Sequence, residues 1–167
     1  MTRPDTEPMP DVRLREVIES DLPIFFDQQL DDVANHMAAF TPQDPSDRVA
    51  FDDRWRRIFA DSTLIMRTIL HRDEVVGSVS CHRWFGDPEI AYGVARPHWG
   101  KGIATSALSM FLDQVSERPL FARVAVDNLG SIRVLEKCGF RLIDIEREFA
   151  NARGEEINEA VYRLGEP

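Results

Sequence analysis

Basic residues are in short supply, with 20 Lys and Arg against 29 Asp and Glu and a formal charge of −9 at pH 7. Neutralising phosphates calls for a basic face, so the balance argues against nucleic acid as a partner and equally against docking on anionic lipid. Cysteine is scarce, and Cys81 and Cys138 alone make neither a disulfide framework nor a zinc site. No apolar run reaches the length of a membrane span; the longest, around Leu64 to Leu70, is interrupted by Arg67. The first eight residues, Met-Thr-Arg-Pro-Asp-Thr-Glu-Pro, lack the apolar core of a secretory signal. A chain of 167 residues, 43% of them hydrophobic, can fill one core but is too short for two ordinary domains. The expectation is a cytoplasmic protein with residues 1–10, which hold three prolines, as a flexible leader and 11–167 as a single domain.

What is present reads as mixed α/β (α+β). A short strand is expected at 12–17. Ser20-Asp21 then reads as a helix cap, with Pro23 in the first turn and Phe25, Phe26 and Leu30 as apolar anchors. Pro42 and Pro45 break the chain, and a second helix follows from about Ser46, with Val49, Trp55, Ile58 and Phe59 near helical spacing. Residues 63–70 and 75–84 read as antiparallel strands joined at His71-Arg72-Asp73-Glu74, and 89–95 as a third strand of the meander. Ile103, Ala107, Phe111 and Val115 recur every fourth residue, marking the buried face of a helix. A strand at 120–126 turns at Asp127-Asn128-Leu129-Gly130 into a helix from Ser131 that ends at Gly139. Strands 141–149 and 156–164, joined by Asn151-Ala152-Arg153-Gly154, form a terminal hairpin. The order predicts a central, mostly antiparallel sheet with helices on it.

The segment from Ile90 to Leu108 carries the chemistry. It reads as strand, glycine loop, helix. A helix N-terminus leaves its first amides without partners and carries partial positive charge. Gly100 and Gly102 let the backbone wrap an anion closely, and Thr105 and Ser106 add hydroxyls, so an acidic chain can still cradle phosphate. An ordinary glycine turn entering a helix is the plainer reading of these residues. A nucleotide-hydrolase loop is excluded, because Lys101 lies between the glycines and no Gly-Lys-Ser/Thr follows. A dinucleotide fold is excluded by the antiparallel strands before the loop.

Ala91-Tyr92-Gly93-Val94 and Pro97-His98-Trp99-Gly100-Lys101-Gly102-Ile103-Ala104-Thr105 together resemble the acetyl-coenzyme A loop of the GNAT superfamily of N-acetyltransferases. The run from Asp127 through Asn128, Ser131, Glu136-Lys137 and Gly139-Phe140 is similar to that family's second motif, in the branch of the ribosomal-protein alanine acetyltransferases. The resemblance covers nearly the whole chain. It implies the GNAT fold: a mixed, mostly antiparallel sheet of about seven strands, splayed in the middle and flanked by about four helices. It also implies that acetyl-CoA binds in the splay. The backbone of Val94, Ala95 and Arg96 would then bond the pantetheine arm, one N–H polarising the thioester carbonyl. Trp99, Gly100, Lys101, Gly102, Ile103, Ala104 and Thr105 would hold the pyrophosphate. Asn128 would bond pantetheine, with Ser131 beside it as helix cap. Arg133 and Lys137, four apart on one helical face, would meet the ribose phosphate, or else form a solvated surface pair. Two positions depart from the family pattern. Trp99 stands where Arg or Gln is usual, and Leu135 stands where many members carry the Tyr that protonates the leaving thiolate.

Attack by an amine requires a neutral nitrogen and so a base within reach. Glu89, at the start of the loop-bearing strand, is the first candidate and also reads as an exposed turn residue. His82 on the adjacent strand is the second, and also reads as an exposed sheet residue. His71, His36 and His98 have less to recommend them. Alternation puts Cys81 and His82 on opposite faces, so at most one points inward, and direct transfer is preferred to a covalent cysteine intermediate. Trp55, Phe59, Phe40, Trp84, Phe85 and Phe149 are available as walls for an acceptor. Asp27, Asp31, Asp32 and Glu159 favour a cationic amine by charge. A protein N-terminus or a small-molecule amine is the acceptor on this reading, and a homodimer is left open. The other readings are a catalytically weak CoA-binding module and an interaction domain with no small ligand.

Overall fold

The computed structural model describes residues 10–166. In chain order these form β1 (Val12–Glu16), α1 (Leu22–Gln29), α2 (Asp32–Ala38), α3 (Arg48–Ala60), β2 (Ile65–His71), β3 (Glu74–His82) and β4 (Glu89–Val94). Then come α4 (Ile103–Leu112), β5 (Leu120–Ala125), α5 (Leu129–Lys137), β6 (Arg141–Ala150) and β7 (Glu155–Leu164), with short 3-10 turns at Glu19–Asp21 and Arg96–His98. The expected leader lies outside the described residues, apart from Pro10.

Seven strands form one sheet in the order β1-β2-β3-β4-β5-β7-β6. Every neighbouring pair is antiparallel except β4 and β5. That parallel pair is joined only at Glu89–Phe121 and Ile90–Ala122, and beyond Ile90 the two strands part. The sheet is therefore split at its centre, as the resemblance implies. The β2–β3 hairpin closes through Arg72 and Asp73, both at positive φ (49° and 65°), the conformation a two-residue turn needs to match strand twist.

Alternation along the strands gives the sheet two apolar faces. Ile69, Val76, Val79, Cys81, Ile90, Leu120, Ala122, Val124, Ala160 and Tyr162 face α4 and α5, whose Ile103, Ala107, Leu108, Phe111 and Leu135 complete the main core. On the other face α1 and α3 cover β2 and β3 through Phe25, Phe51, Trp55 and Ile58. A small cluster of Ala39, Ala125 and Ala150 seats the end of α2 on β5 and β6. There the chain makes a γ-turn: Ala39 has φ 67°, and Phe40 N–H donates to Ala38 C=O at 2.8 Å. Ala152 N–H donates to Ala39 C=O and Asn151 to Thr41 C=O, which docks the β6–β7 turn on α2.

The structure corrects several local expectations. The apolar stretch after Ser20 is two helices rather than one, because Asp31 caps α2 by accepting from the Val33 and Ala34 amides. Among the described residues five helices flank the sheet, one more than expected. Asp21 does not cap α1 with its side chain. It is 1% exposed, receives both Arg15 nitrogens at 2.7 and 2.8 Å and the Thr68 hydroxyl at 2.7 Å, and pins β1, β2 and α1 together. Burial favours the neutral acid, but these donors and the Ile18 amide outweigh it and hold the carboxyl below its ordinary pKa. The helix after β5 starts at Leu129 and its cap is Asn128, whose side chain accepts from Ser131 N–H, so Ser131 is not the cap. Val115 lies past the end of α4 and is still buried. No helix among the described residues is long and apolar enough to cross a membrane.

Candidate active site

The split has two lips, β4 and β5, and the main-chain groups on β4 sort by alternation. Ala95 N–H donates to Val76 C=O on β3 at 2.8 Å. Because amide and carbonyl directions alternate along an extended strand, the polar groups of Tyr92 and Val94 point the other way, into the split. Past Ile90 there is no β5 partner for them. One of these groups is already met: the Trp99 indole N–H donates to Val94 C=O at 2.6 Å. Trp99 therefore acts through its ring nitrogen on the strand end, which an Arg or Gln reading of that position does not anticipate. Ala95 is misplaced in the sequence reading. Its N–H is taken by β3 and its carbonyl by His98 N–H, leaving Tyr92 as the residue that shares the lip with Val94.

At the open end of the split the chain enters α4. Gly100 and Gly102 have φ of 74° and 75°, a conformation in which a side chain is strained. Among the described residues a Cβ on Gly100 would meet nothing within 4 Å, and one on Gly102 only Pro10 at 4.0 Å, so these residues leave the cradle open. The N-cap of α4 is Gly102 itself, with no side-chain cap. Among the described residues the amides from Gly100 to Thr105 make no hydrogen bond to protein, and the first internal bond is Ser106 N–H to Gly102 C=O. Ile103 is buried, so only its backbone faces the loop, while Lys101 is exposed. This turn fits a diphosphate by the chemistry of its donors. Arg96 binds Asp31 at 2.8 Å, tying the loop to the α1–α2 corner and using the carboxylate counted as an acceptor lure. Asn128 stands at the far lip with its amide nitrogen unengaged, and Arg133 and Lys137 are exposed on α5 without an acidic partner among the described residues.

Tyr92 reaches across the split. Its hydroxyl lies 2.9 Å from the Ser131 carbonyl and 2.8 Å from the Ser131 hydroxyl, on the first turn of α5. Burial raises the phenol's pKa, with Ser131 opposing, so the group stays a neutral donor. Leu135, one turn further along α5, is 1% exposed in the main core.

The opposite face carries the charges. His82 and Glu89, weighed as alternatives in the sequence, are neighbours in register: Nε2 lies 3.3 Å from Glu89 Oε2. Glu89 Oε1 accepts from Arg123 Nε at 3.0 Å, and the same guanidinium reaches Glu146 at 2.5 Å and Glu159 at 3.5 Å. One row, His82–Glu89–Arg123–Glu159–Glu146, thus crosses β3, β4, β5, β7 and β6 at the closed end of the split. Burial works against the Arg123 charge, but Glu146, Glu89 and Glu159 more than compensate and raise its pKa. Burial also raises Glu159, with Arg123 opposing. His82 is 4% exposed and not an open sheet residue, because its ring stacks on Trp84 at 4.2 Å; its Nδ1 is buried without a partner among the described residues. Cys81 is buried as well, in the main core, so both faces are covered here and the two residues are inward on opposite sides.

Arg123, Glu146 and Tyr92 were not selected from the sequence as site side chains. The signal for Arg123 is a lone charge inside Leu120-Phe121-Ala122-Arg123-Val124-Ala125. Of the proposed acceptor walls, Trp55 belongs to the α1–α3 core and Phe149 alternates away from Ala150 and α2. Phe40 packs against the alanine cluster, while Trp84, Phe85 and Phe59 are exposed.

Residues 11–141 match the family model described as an acetyltransferase (GNAT) domain. An uncharacterized N-acetyltransferase, p20 of Bacillus licheniformis, is 29% identical over 99 residues, a match spanning 55% of this chain and 56% of p20. RimJ of Mycobacterium smegmatis, solved in complex with CoA-disulfide, superposes with a TM-score of 0.78 at 25% identity, covering 94% of this chain and 83% of that one. Spermidine N-acetyltransferase from Vibrio cholerae, solved with CoA and spermine, gives 0.77 at 17% identity over 92% and 95% of the two chains, a likeness of fold. The split between β4 and β5, the bare first turn of α4 and the matched family model agree: the chain belongs to the GNAT acetyltransferase family.

Proposed function

We propose that this protein is an acetyl-CoA-dependent N-acetyltransferase that moves an acetyl group to a primary amine by direct attack, acting as a single domain from residue 11. The observation that carries the reading is the end of β4–β5 pairing at Ile90–Ala122, beside a helix start whose amides have no protein partner among the described residues. Acetyl-CoA, when bound, supplies the activated thioester. Amides from Gly100 to Thr105 would hold its pyrophosphate, and the Tyr92 and Val94 backbone and the Asn128 side chain its pantetheine arm. Arg133 and Lys137 would meet the ribose phosphate.

Glu89 and His82 act as one unit in this proposal. Arg123 fixes one Glu89 oxygen and His82 faces the other, so a proton taken from the incoming ammonium at Glu89 has the imidazole beside it. The row holds three carboxylates against one guanidinium, which favours a cationic acceptor, whether a protein N-terminus or a small-molecule amine. RimJ and the spermidine enzyme among the similar structures support that range. Two free thiols suit the cytoplasm, and the open outer edge of β6 suits a homodimer.

The test is a thermal-shift titration with CoA together with a thiol-release assay on a panel of amines. Stabilisation by CoA with thiol release on at least one amine is the expected result. Stabilisation without release on any amine favours a CoA-binding module, for which buried Leu135 is the supporting observation. No stabilisation at millimolar CoA overturns both.

A further inference from the structure

Main-chain pairing between the lips ends at Ile90–Ala122, yet two side-chain ties cross the split, one on each face. On the charged face, Glu89 of β4 holds Arg123 of β5 at 3.0 Å. On the helix face, Tyr92 of β4 holds Ser131 of α5, the helix that follows directly from β5. The phenol has one hydrogen. Given to the carbonyl at 2.9 Å, it leaves the Ser131 hydroxyl to donate back across 2.8 Å, a closed pair of bonds. The Ser131 turn is itself fixed, since its amide donates to Asn128 Oδ1 at 3.2 Å.

We propose that Tyr92 is a positioning residue: its ring wedges and its hydroxyl ties the two lips at the width that admits the pantetheine arm. The physical need is plain. The polar groups of Tyr92 and the amide of Val94 face the split without a β5 partner, and unpaired main-chain groups on facing strands are under pressure to zip together. A rigid aromatic ring between strand and helix opposes that closure. The pair of hydrogen bonds to Ser131 opposes the opposite failure, a drift of α5 away from β4. Tyr92 lies on the helix face with Ile90 and Val94, so this role is separate from the proton transfer assigned to Glu89 and His82 on the other face. The inference rests on the cofactor reading above.

The experiment is a double-mutant cycle read by calorimetric CoA binding, with no acceptor and no turnover. Tyr92→Phe keeps the wedge and removes the tie; Ser131→Ala removes the returning hydroxyl while leaving the carbonyl. Expected results are about tenfold weaker CoA binding for Tyr92→Phe and a smaller loss for Ser131→Ala. The double variant should be no weaker than Tyr92→Phe alone, because the hydroxyl acts through the phenol. Wild-type affinity in Tyr92→Phe, with or without a lower melting temperature, overturns the proposal. So does a double variant whose loss is the product of the single losses, since the two groups would then act independently. Absence of CoA binding in the wild-type protein overturns the cofactor reading itself and this inference with it.

Discussion

Glu89 Oε2 faces His82 Nε2 at 3.3 Å while Glu89 Oε1 is held by Arg123, so the carboxylate bridges an imidazole and a guanidinium at the closed end of the split. If this unit takes the acceptor's proton, Glu89→Gln should lower kcat by roughly a hundredfold or more with CoA affinity almost unchanged. His82→Gln should lower kcat less than Glu89→Gln does, because it removes the imidazole beside Glu89 Oε2 but leaves the carboxylate in place. Steady-state rates from pH 5 to 10, alongside CoA binding, check both. An unchanged rate in Glu89→Gln would assign proton removal to water.

The cradle can be tested without chemistry. Gly102 sits at φ 75°, and among the described residues a Cβ added there would meet only Pro10, at 4.0 Å. Gly102→Ala should weaken CoA binding modestly through backbone strain, by about 1 kcal/mol. Gly102→Glu places negative charge where the diphosphate belongs and should abolish CoA binding while the far-ultraviolet circular dichroism is kept. Normal CoA affinity in the Glu variant would show that the α4 turn does not hold phosphate.

Asp21 should make the fold acid-sensitive. Its folded pKa is depressed by Arg15, Thr68 and the Ile18 amide despite burial. The stabilisation is therefore present above the unfolded carboxyl value, about 3.9, and is lost as pH falls through the lower folded value. Asp21→Asn should cost about 2–3 kcal/mol at pH 7, discounted because Arg15 is partly exposed. Urea midpoints should show that deficit at pH 7 and a shrinking one as pH falls below the unfolded carboxyl value, about 3.9. A deficit independent of pH would mean that shape rather than charge is at stake.

Gly77 on β3 leaves no room for a side chain against β4. A Cβ there would lie 2.0 Å from the Gly93 carbonyl oxygen, a backbone atom that cannot step aside alone. Gly77→Ala should force β4 outward, lowering the melting temperature by several degrees and weakening CoA binding, because the moving strand is a lip of the split. Wild-type stability in this variant would mean that the β3–β4 spacing is looser than it stands.

Much of the cofactor side was legible in the linear chain, for a local reason. Gly100, Gly102 and the helix starting at Ile103 are contiguous, and the amides of a helix's first turn are free by geometry wherever such a turn occurs. The Ile103, Ala107, Phe111 stripe needs only helical periodicity to be seen. The break at Leu30–Asp31 is not visible in the sequence because one apolar pattern continues across it, while Asp31 leaves helical geometry there to cap α2 with its carboxylate.

The charged row was beyond linear reading because sheet register is not local. His82 and Glu89 are 7 residues apart, but Arg123, Glu146 and Glu159 come from three later strands, and their meeting depends on β7 lying between β5 and β6. The Tyr92–Ser131 tie likewise joins residues 39 apart through the packing of α5 against the sheet. The glycine turn, the free helix start and the family resemblance were written in the order of residues, since each rests on neighbours along the chain. Which acids surround Arg123, what Trp99 bonds and how the split is held emerged only on folding, because hydrogen bonds between strands, not positions along one, set those distances.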